Sequence, residues 1–396
     1  MARCIGEIFG RILVLRRWNK KMRSILIFSS LYLPHLGGVE RYTSNLAHHL
    51  MKLGNKVVVI TSKVANELEE EKIDEVKIVR LKSFNFLNGR FPIYNFVNRN
   101  KDLRNLKRFS PDLVIVNTRY YPLSLLGVQL ADKMKVKCIL IDHSTGHISF
   151  NSKFLDSISE RYEHFMTSRF KKYDVDFYGV SKNVSLWLKH FQIKSKGEIY
   201  NAVDLDMIEQ LKKQNHCKIR NLPLESYSEI ICYTGRLIKE KGILELIKGF
   251  QIYQKEHNSC LVIAGDGPLM EKIKKIQCSN LYVLGKLTFE EVVSLLSRSN
   301  IFCFPTAYPE GFPTSLLEAA ACRCYLISTD KGGARELIRN DSYGCILEDN
   351  NPQTIVKALE GYSKLKNIDS ILENAYNAVK YEFNWPVVAE KVSHIV

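Results

Sequence analysis

Arg236 and Lys241 stand five residues apart in GRLIKEKG (235–242), and Glu310 and Glu318 eight apart in PEGFPTSLLEAAA (309–321). An arginine offers phosphate oxygens a planar fork of donors, and a lysine offers a movable point charge. Together they suit a diphosphate whose departure puts new negative charge on oxygen. Gly235 and Gly242 bracket the pair; the plainer alternative is a solvated basic turn, since Lys239 shows that not every cation here is specific. A carboxylate has two acceptor oxygens and matches the cis-diol of a ribose. Glu318 is therefore expected near a ribose and Glu310 near a sugar. Gly311, Phe312 and the helix start over Pro313, Thr314 and Leu316 would present backbone N–H groups to phosphate or sugar oxygens. The plainer alternative makes Glu310 a helix-dipole residue and Glu318 a surface glutamate. Apolar Leu316, Leu317 and Ala319 to Ala321 argue against a simply exposed helix.

A third element is LPHLGGVERY (33–42), where Gly37 and Gly38 precede a helix. Without a Cβ they let backbone approach a ligand closely, and the helix start favours an anion. Two glycines before a helix are also simply a tight turn. Two other patterns carry less. AGDGP (264–268) lacks the full dinucleotide-loop spacing, and DVD (174–176) imitates a metal-binding D-x-D but runs straight into an apolar strand.

The elements that must position these residues alternate. Short runs at 24–30, 56–61, 112–117, 136–141 and 175–180 read as buried strands, with helices between them, for example over 39–53 and 155–172. The rhythm restarts at 229–235, 260–267, 281–285, 301–305 and 324–329, after a polar, irregular stretch over 201–228. Such alternation implies two parallel sheets with helices on both faces. Ligands of such sheets bind beyond the carboxyl ends of the strands, where nearly all these motifs lie. The last segment, 384–396, reads as a helix with Pro386 in its first turn.

A chain of 396 residues is long enough for two cores. Its 10 cysteines are scattered without a CxxC pair, which points to small buried thiols in a reducing compartment and away from a zinc site or disulfide framework. No apolar run is long enough to span a bilayer. The net charge is +15, and residues 1–21 are strongly basic. The segment reads either as an extension before Met22 or as a membrane-surface helix. No nucleic-acid motif accompanies the charge, so the alternatives are solubility or attraction to anionic lipid. Arg99, Lys101, Arg104, Lys107 and Arg108 are expected on one helix, facing solvent or such a membrane.

GGVERY, GRLIKEKG, AGDGP, EGFPTSLLE and the closing FNW helix occur in an order that resembles family 4 glycosyltransferases, from about Met22 to the C-terminus. The resemblance implies the GT-B fold: two facing Rossmann-like domains, a cleft between them, and a C-terminal helix returning to the N-terminal domain. The corresponding divisions are a basic extension (1–21), an acceptor-side domain (22–204), a nucleotide-sugar-binding domain (205–383) and the crossing helix (384–396). It implies retaining transfer from a nucleotide sugar (UDP- or GDP-linked) to a glycan or lipid-linked acceptor, in the cytoplasm or on the inner membrane face. Neither cofactor nor metal is expected. It also points to His143, in LIDHSTGH, as the histidine against the donor sugar, with His147 as its rival. His143, Glu310, Arg236 and Lys241 would then be catalytic. Two departures are Ala202 in NAVD, where the family usually has glycine, and the AACRCYLIS run. An epimerase of the same architecture and a binding protein without catalysis are the rival readings; intact Glu310, Glu318, Arg236 and Lys241 argue against the latter.

Overall fold

The structure, a computed structural model, describes residues 22–35, 37–85, 91–150, 152–213, 219 and 221–395. The basic segment 1–21, with its membrane-helix reading, lies outside them.

Valine-, isoleucine- and leucine-rich runs form two sheets. The first contains β1 (Ser24–Phe28), β2 (Lys56–Lys63), β3 (Glu70–Ile73), β4 (Val76–Phe84), β5 (Ile93–Tyr94), β6 (Leu113–Asn117), β7 (Lys137–Asp142) and β8 (Asp176–Gly179). Their order is β3-β4-β2-β1-β6-β7-β8, with β5 on β4. All pairings are parallel except those of β3 and β5 with β4. The second sheet contains β9 (Glu229–Thr234), β10 (Ser259–Ala264), β11 (Leu281–Gly285), β12 (Ile301–Phe304), β13 (Tyr325–Thr329) and β14 (Cys345–Leu347). It is parallel throughout, in the order β11-β10-β9-β12-β13-β14.

The helices are α1 (Gly38–Lys52), α2 (Arg99–Leu106), α3 (Pro122–Met134), α4 (Lys153–Phe170), α5 (Lys182–Trp187), α6 (Leu205–Leu211) and α7 (Ile243–Tyr253). There follow α8 (Met270–Lys274), α9 (Phe289–Ser297), α10 (Thr314–Ala321), α11 (Ala334–Leu337), α12 (Pro352–Ser363), α13 (Ile368–Glu382) and α14 (Trp385–Ser393). Helices cover both faces of the first sheet, so alternate β1 side chains enter different cores: Leu26 and Phe28 one, Ile25 and Ile27 the other. Every strand expected from an apolar run forms, within a few residues of its expected ends. β3, β4, β5 and β14 were not expected. EEKI and VKIVRLKSF interleave charged with apolar residues because they form a half-solvated edge hairpin, and β14 is only three residues long.

α14 packs on the first sheet's layer. Trp385, Val388, Ala389 and Val392 share one core with Ile25, Tyr42 and Leu46. The chain passes between the sheets twice, side by side: Val203 N donates to Phe383 O (3.0 Å), and Trp385 N to Val203 O (3.0 Å).

The basic stretch 99–110 does not present five free cations on one helix. α2 ends at Leu106, and a 3₁₀ turn covers Lys107–Phe109. Arg99 Nε donates to Gln129 Oε1 (2.7 Å), and Arg108 pairs with Glu70. Lys101, Arg104 and Lys107 remain exposed.

Candidate active site

Parallel sheets bind ligands where neighbouring connections depart to opposite faces, beyond the strand ends. Here those places are β1/β6 and β9/β12. β1 leads to Gly37 and Gly38, β7 to His143, β9 to Arg236 and Lys241, and β12 to Glu310.

Lys241 closes a 3₁₀ turn before α7. The turn ends in Gly242 at φ +69°, where a Cβ would come within 2.0 Å of Pro305 O, so only glycine fits. Lys241 Nζ lies 2.6 Å from Glu310 Oε1, both side chains about one-tenth exposed (12% and 11%). Thr306 Oγ1 donates to the same oxygen (3.2 Å). The Tyr308 ring sits beside both cations, its centroid 5.6 Å from Lys241 Nζ and 5.8 Å from Arg236 Cζ.

The Glu310 loop also touches the first sheet's loops. Thr145 Oγ1 donates to Glu310 O (2.9 Å) and Ser181 Oγ to Gly311 O (2.8 Å). Asn201 Nδ2 donates to Phe312 O (2.9 Å) and Thr314 Oγ1 (3.0 Å). A Cβ on Gly311 would stand 2.5 Å from His143 O, so this glycine lets the two sides meet. The side chains of Phe312 and Leu316 are buried in the second core, and Leu316 N donates to Pro313 O (3.2 Å).

His143 lies under α1, its ring edge-on to Tyr42 with centroids 4.7 Å apart. Asn117 Nδ2 donates to Thr43 Oγ1 (2.8 Å), which turns Asn117 Oδ1 toward His143 Nε2 (3.1 Å). With the Asn117 amide so oriented, Nε2 carries the proton and Nδ1 the lone pair. Burial lowers the His143 pKa to about 4, so the ring is neutral at physiological pH. His147 points elsewhere: its Nδ1 lies 3.3 Å from Glu163 Oε2 on α4.

Gly37 caps α1 without a side-chain hydrogen bond to the helix start. Its neighbours Glu40 and Arg41, also within GGVERY, gain roles that spacing alone did not suggest. The Glu40 carboxylate lies against Gly37, and burial raises its pKa. Arg41 is the counter-charge felt by Glu318, whose buried carboxyl is pushed up to about 7 by desolvation. Glu318 is thus neither exposed nor a conventional surface glutamate.

Sequence reasoning also missed Arg119 and Glu163. The Arg119 guanidinium is fully buried between Asp142 and Glu163, with Nη2 to Glu163 Oε2 at 3.0 Å. Asp142 Oδ1 accepts from His143 N (2.8 Å) and Glu163 Oε1 from Ile148 N (2.7 Å), so one buried cation holds both ends of the His143 loop. In sequence, an isolated arginine after a strand has no periodic partner to mark it. Asp176, from the D-x-D imitation, is structural, pairing with Lys137 at 2.5 Å.

The model of Glycosyltransferase Family 4 matches residues 36–207, and that of Glycosyl transferases group 1 matches 216–378. The chain is a family 4 glycosyltransferase. It is 27% identical over 379 residues to an uncharacterized glycosyltransferase of Methanocaldococcus jannaschii, covering 91% of this chain and 95% of that one. It is 25% identical over 346 residues to the Campylobacter jejuni N-acetylgalactosamine-N,N'-diacetylbacillosaminyl-diphospho-undecaprenol 4-alpha-N-acetylgalactosaminyltransferase, covering 82% and 86%. The fold of this family 4 enzyme is that of Anabaena HepE, solved in complex with UDP-glucose (TM-score 0.70, 16% identity, 94% and 98% covered). No helix among the described residues of the glycosyltransferase is long and apolar enough to cross a membrane.

Proposed function

We propose that this glycosyltransferase carries out retaining, metal-independent transfer from a UDP- or GDP-sugar to a glycan or lipid-linked acceptor in cell-surface polysaccharide synthesis. The carrying observation is the Lys241–Glu310 pair, with Arg236 beside it, meeting the His143 loop across the cleft. Arg236, Lys241 and the helix starts at Gly37, Gly38 and Thr314 receive the diphosphate and stabilise it as the glycosidic bond breaks, the role a divalent cation has elsewhere. Glu310 positions the sugar. A neutral His143 adds no positive charge beside an oxocarbenium-like centre, which a protonated ring would oppose. Domain closure excludes water from the reacting centre.

The name of the Campylobacter relative specifies a lipid-diphosphate acceptor, and HepE was solved with UDP-glucose. Both support the proposed substrate classes. Exposed Lys101, Arg104 and Lys107 support a peripheral position on an anionic, cytoplasmic membrane face.

The test is a donor screen: UDP-, GDP- and ADP-sugars incubated with membrane extract in EDTA, with released nucleoside diphosphate measured. Release from one donor is expected. An epimerised donor, or no release from any donor with acceptor present, would overturn the reading.

Glu318 adds a pH signature. Its raised pKa means that it gains a proton as pH falls through about 7 and loses an acceptor for the ribose. The donor kcat/KM, which reports the free enzyme, is expected to fall below that pH. Glu318→Gln should lower the neutral-pH value and flatten the profile. An unchanged acid limb in that variant would remove Glu318 from the donor site.

A further inference from the structure

A second cluster of titratable side chains lies outside the cleft. His147 follows β7, Glu160 and His164 stand one turn apart on α4, and His190 lies in the 3₁₀ turn Leu188–Phe191 after α5. One ligand atom from each lies within 4.8 Å of all the others. His190 Nε2 is 3.2 Å from both His147 Nε2 and His164 Nε2, and Glu160 Oε1 is 3.6 Å from His147 Nε2.

Hydrogen bonding among the rings accounts poorly for this convergence. An imidazole Nε2 carries one proton or one lone pair, so His190 Nε2 cannot satisfy two imidazole nitrogens equally. A metal ion would satisfy all three. Zn–N bonds of about 2.0–2.1 Å at tetrahedral angles place ligand nitrogens about 3.3–3.4 Å apart. The observed 3.2 Å separations are close to that edge.

The surroundings also resemble those of a ligating histidine. His147 Nδ1 faces the buried Glu163 carboxylate at 3.3 Å, which directs the Nε2 lone pair into the cluster. Glu163 is held in turn by Arg119 (3.0 Å) and Ile148 N (2.7 Å). His190 is stacked on Trp187, with centroids 4.7 Å apart and planes 3° from parallel, which limits rotation of its ring.

We propose that His147, His164, His190 and Glu160 form a zinc-binding site that clamps the loop following His143 onto α4. Three imidazoles and one carboxylate complete a tetrahedral set for this ion. The site is structural and separate from the diphosphate contacts, and so is compatible with the metal-independent transfer proposed above. Its contribution is to restrain the segment whose other end carries His143.

The experiment uses full-length protein without a histidine tag, stripped with EDTA, desalted and titrated with zinc against a chromophoric chelator. One equivalent of zinc is expected to bind. His164→Ala and His190→Ala, both at exposed positions, should each weaken it at least about 100-fold. Zinc should raise the melting temperature of the parent protein by about 5 °C and leave that of both variants unchanged. Cobalt should give the visible bands of a tetrahedral ion only with the parent protein. No stoichiometric binding, or equal affinity in the parent protein and both variants, would overturn the site. Neither result depends on the identity of donor or acceptor.

Discussion

Replacing Lys241 with alanine is expected to lower kcat about 10³-fold, with a smaller change in donor KM. Removing one preorganised donor to a developing oxyanion costs about 10²–10³ in rate. Lys241 is placed to exceed a neutral donor because it carries full charge at a site where it is only 12% exposed. Its loss also frees Glu310 from an ion pair at 2.6 Å. Glu310→Ala, alone and with Lys241→Ala, separates the two effects. If the pair acts as a unit, the double variant loses little more than either single one. Far-UV circular dichroism and the melting temperature should show that the fold survives, since the pair borders the cleft. A single-turnover rate for Lys241→Ala within about fivefold of the parent would remove Lys241 from the leaving-group site.

Arg119→Met is expected to cost about 3–5 kcal/mol of stability, read as a lower denaturant midpoint. Breaking a buried ion pair by deleting one partner leaves an uncompensated charge, and here two carboxylates lose theirs. Asp142 and Glu163 are fully buried and share the guanidinium, while methionine restores volume without charge. Adding Asp142→Asn and Glu163→Gln should recover a substantial part of the loss. Transfer should fall as well, because Asp142 Oδ1 holds His143 N at 2.8 Å. A midpoint equal to the parent's would show that this network does not hold the loop.

Much of the architecture was already legible in local pattern. Apolar runs of strand length, bounded by turn residues, mark parallel strands, and all of these form, although β8 and β11 at the sheet edges are only partly buried. EEKI and VKIVRLKSF escaped because an edge hairpin meets solvent and keeps its charges. The Arg236–Lys241 and Glu310–Glu318 spacings marked one end of each strand loop, and the fold brings Lys241 and Glu310 into contact.

By itself the sequence determined element types, the two-sheet rhythm and the loops that carry cationic and acidic groups, because each depends on neighbours within one turn or one strand. Tertiary structure decided the rest. It turned His143 toward Asn117 and His147 toward Glu163, a choice made by α1 and α4 and invisible in LIDHSTGH. It buried the Phe312 and Leu316 side chains in the second core, which their place in EGFPTSLLE does not reveal. It converged His147, Glu160, His164 and His190 across three separate elements, a meeting with no local period because side chains distant along the chain become neighbours only when helices pack on a sheet.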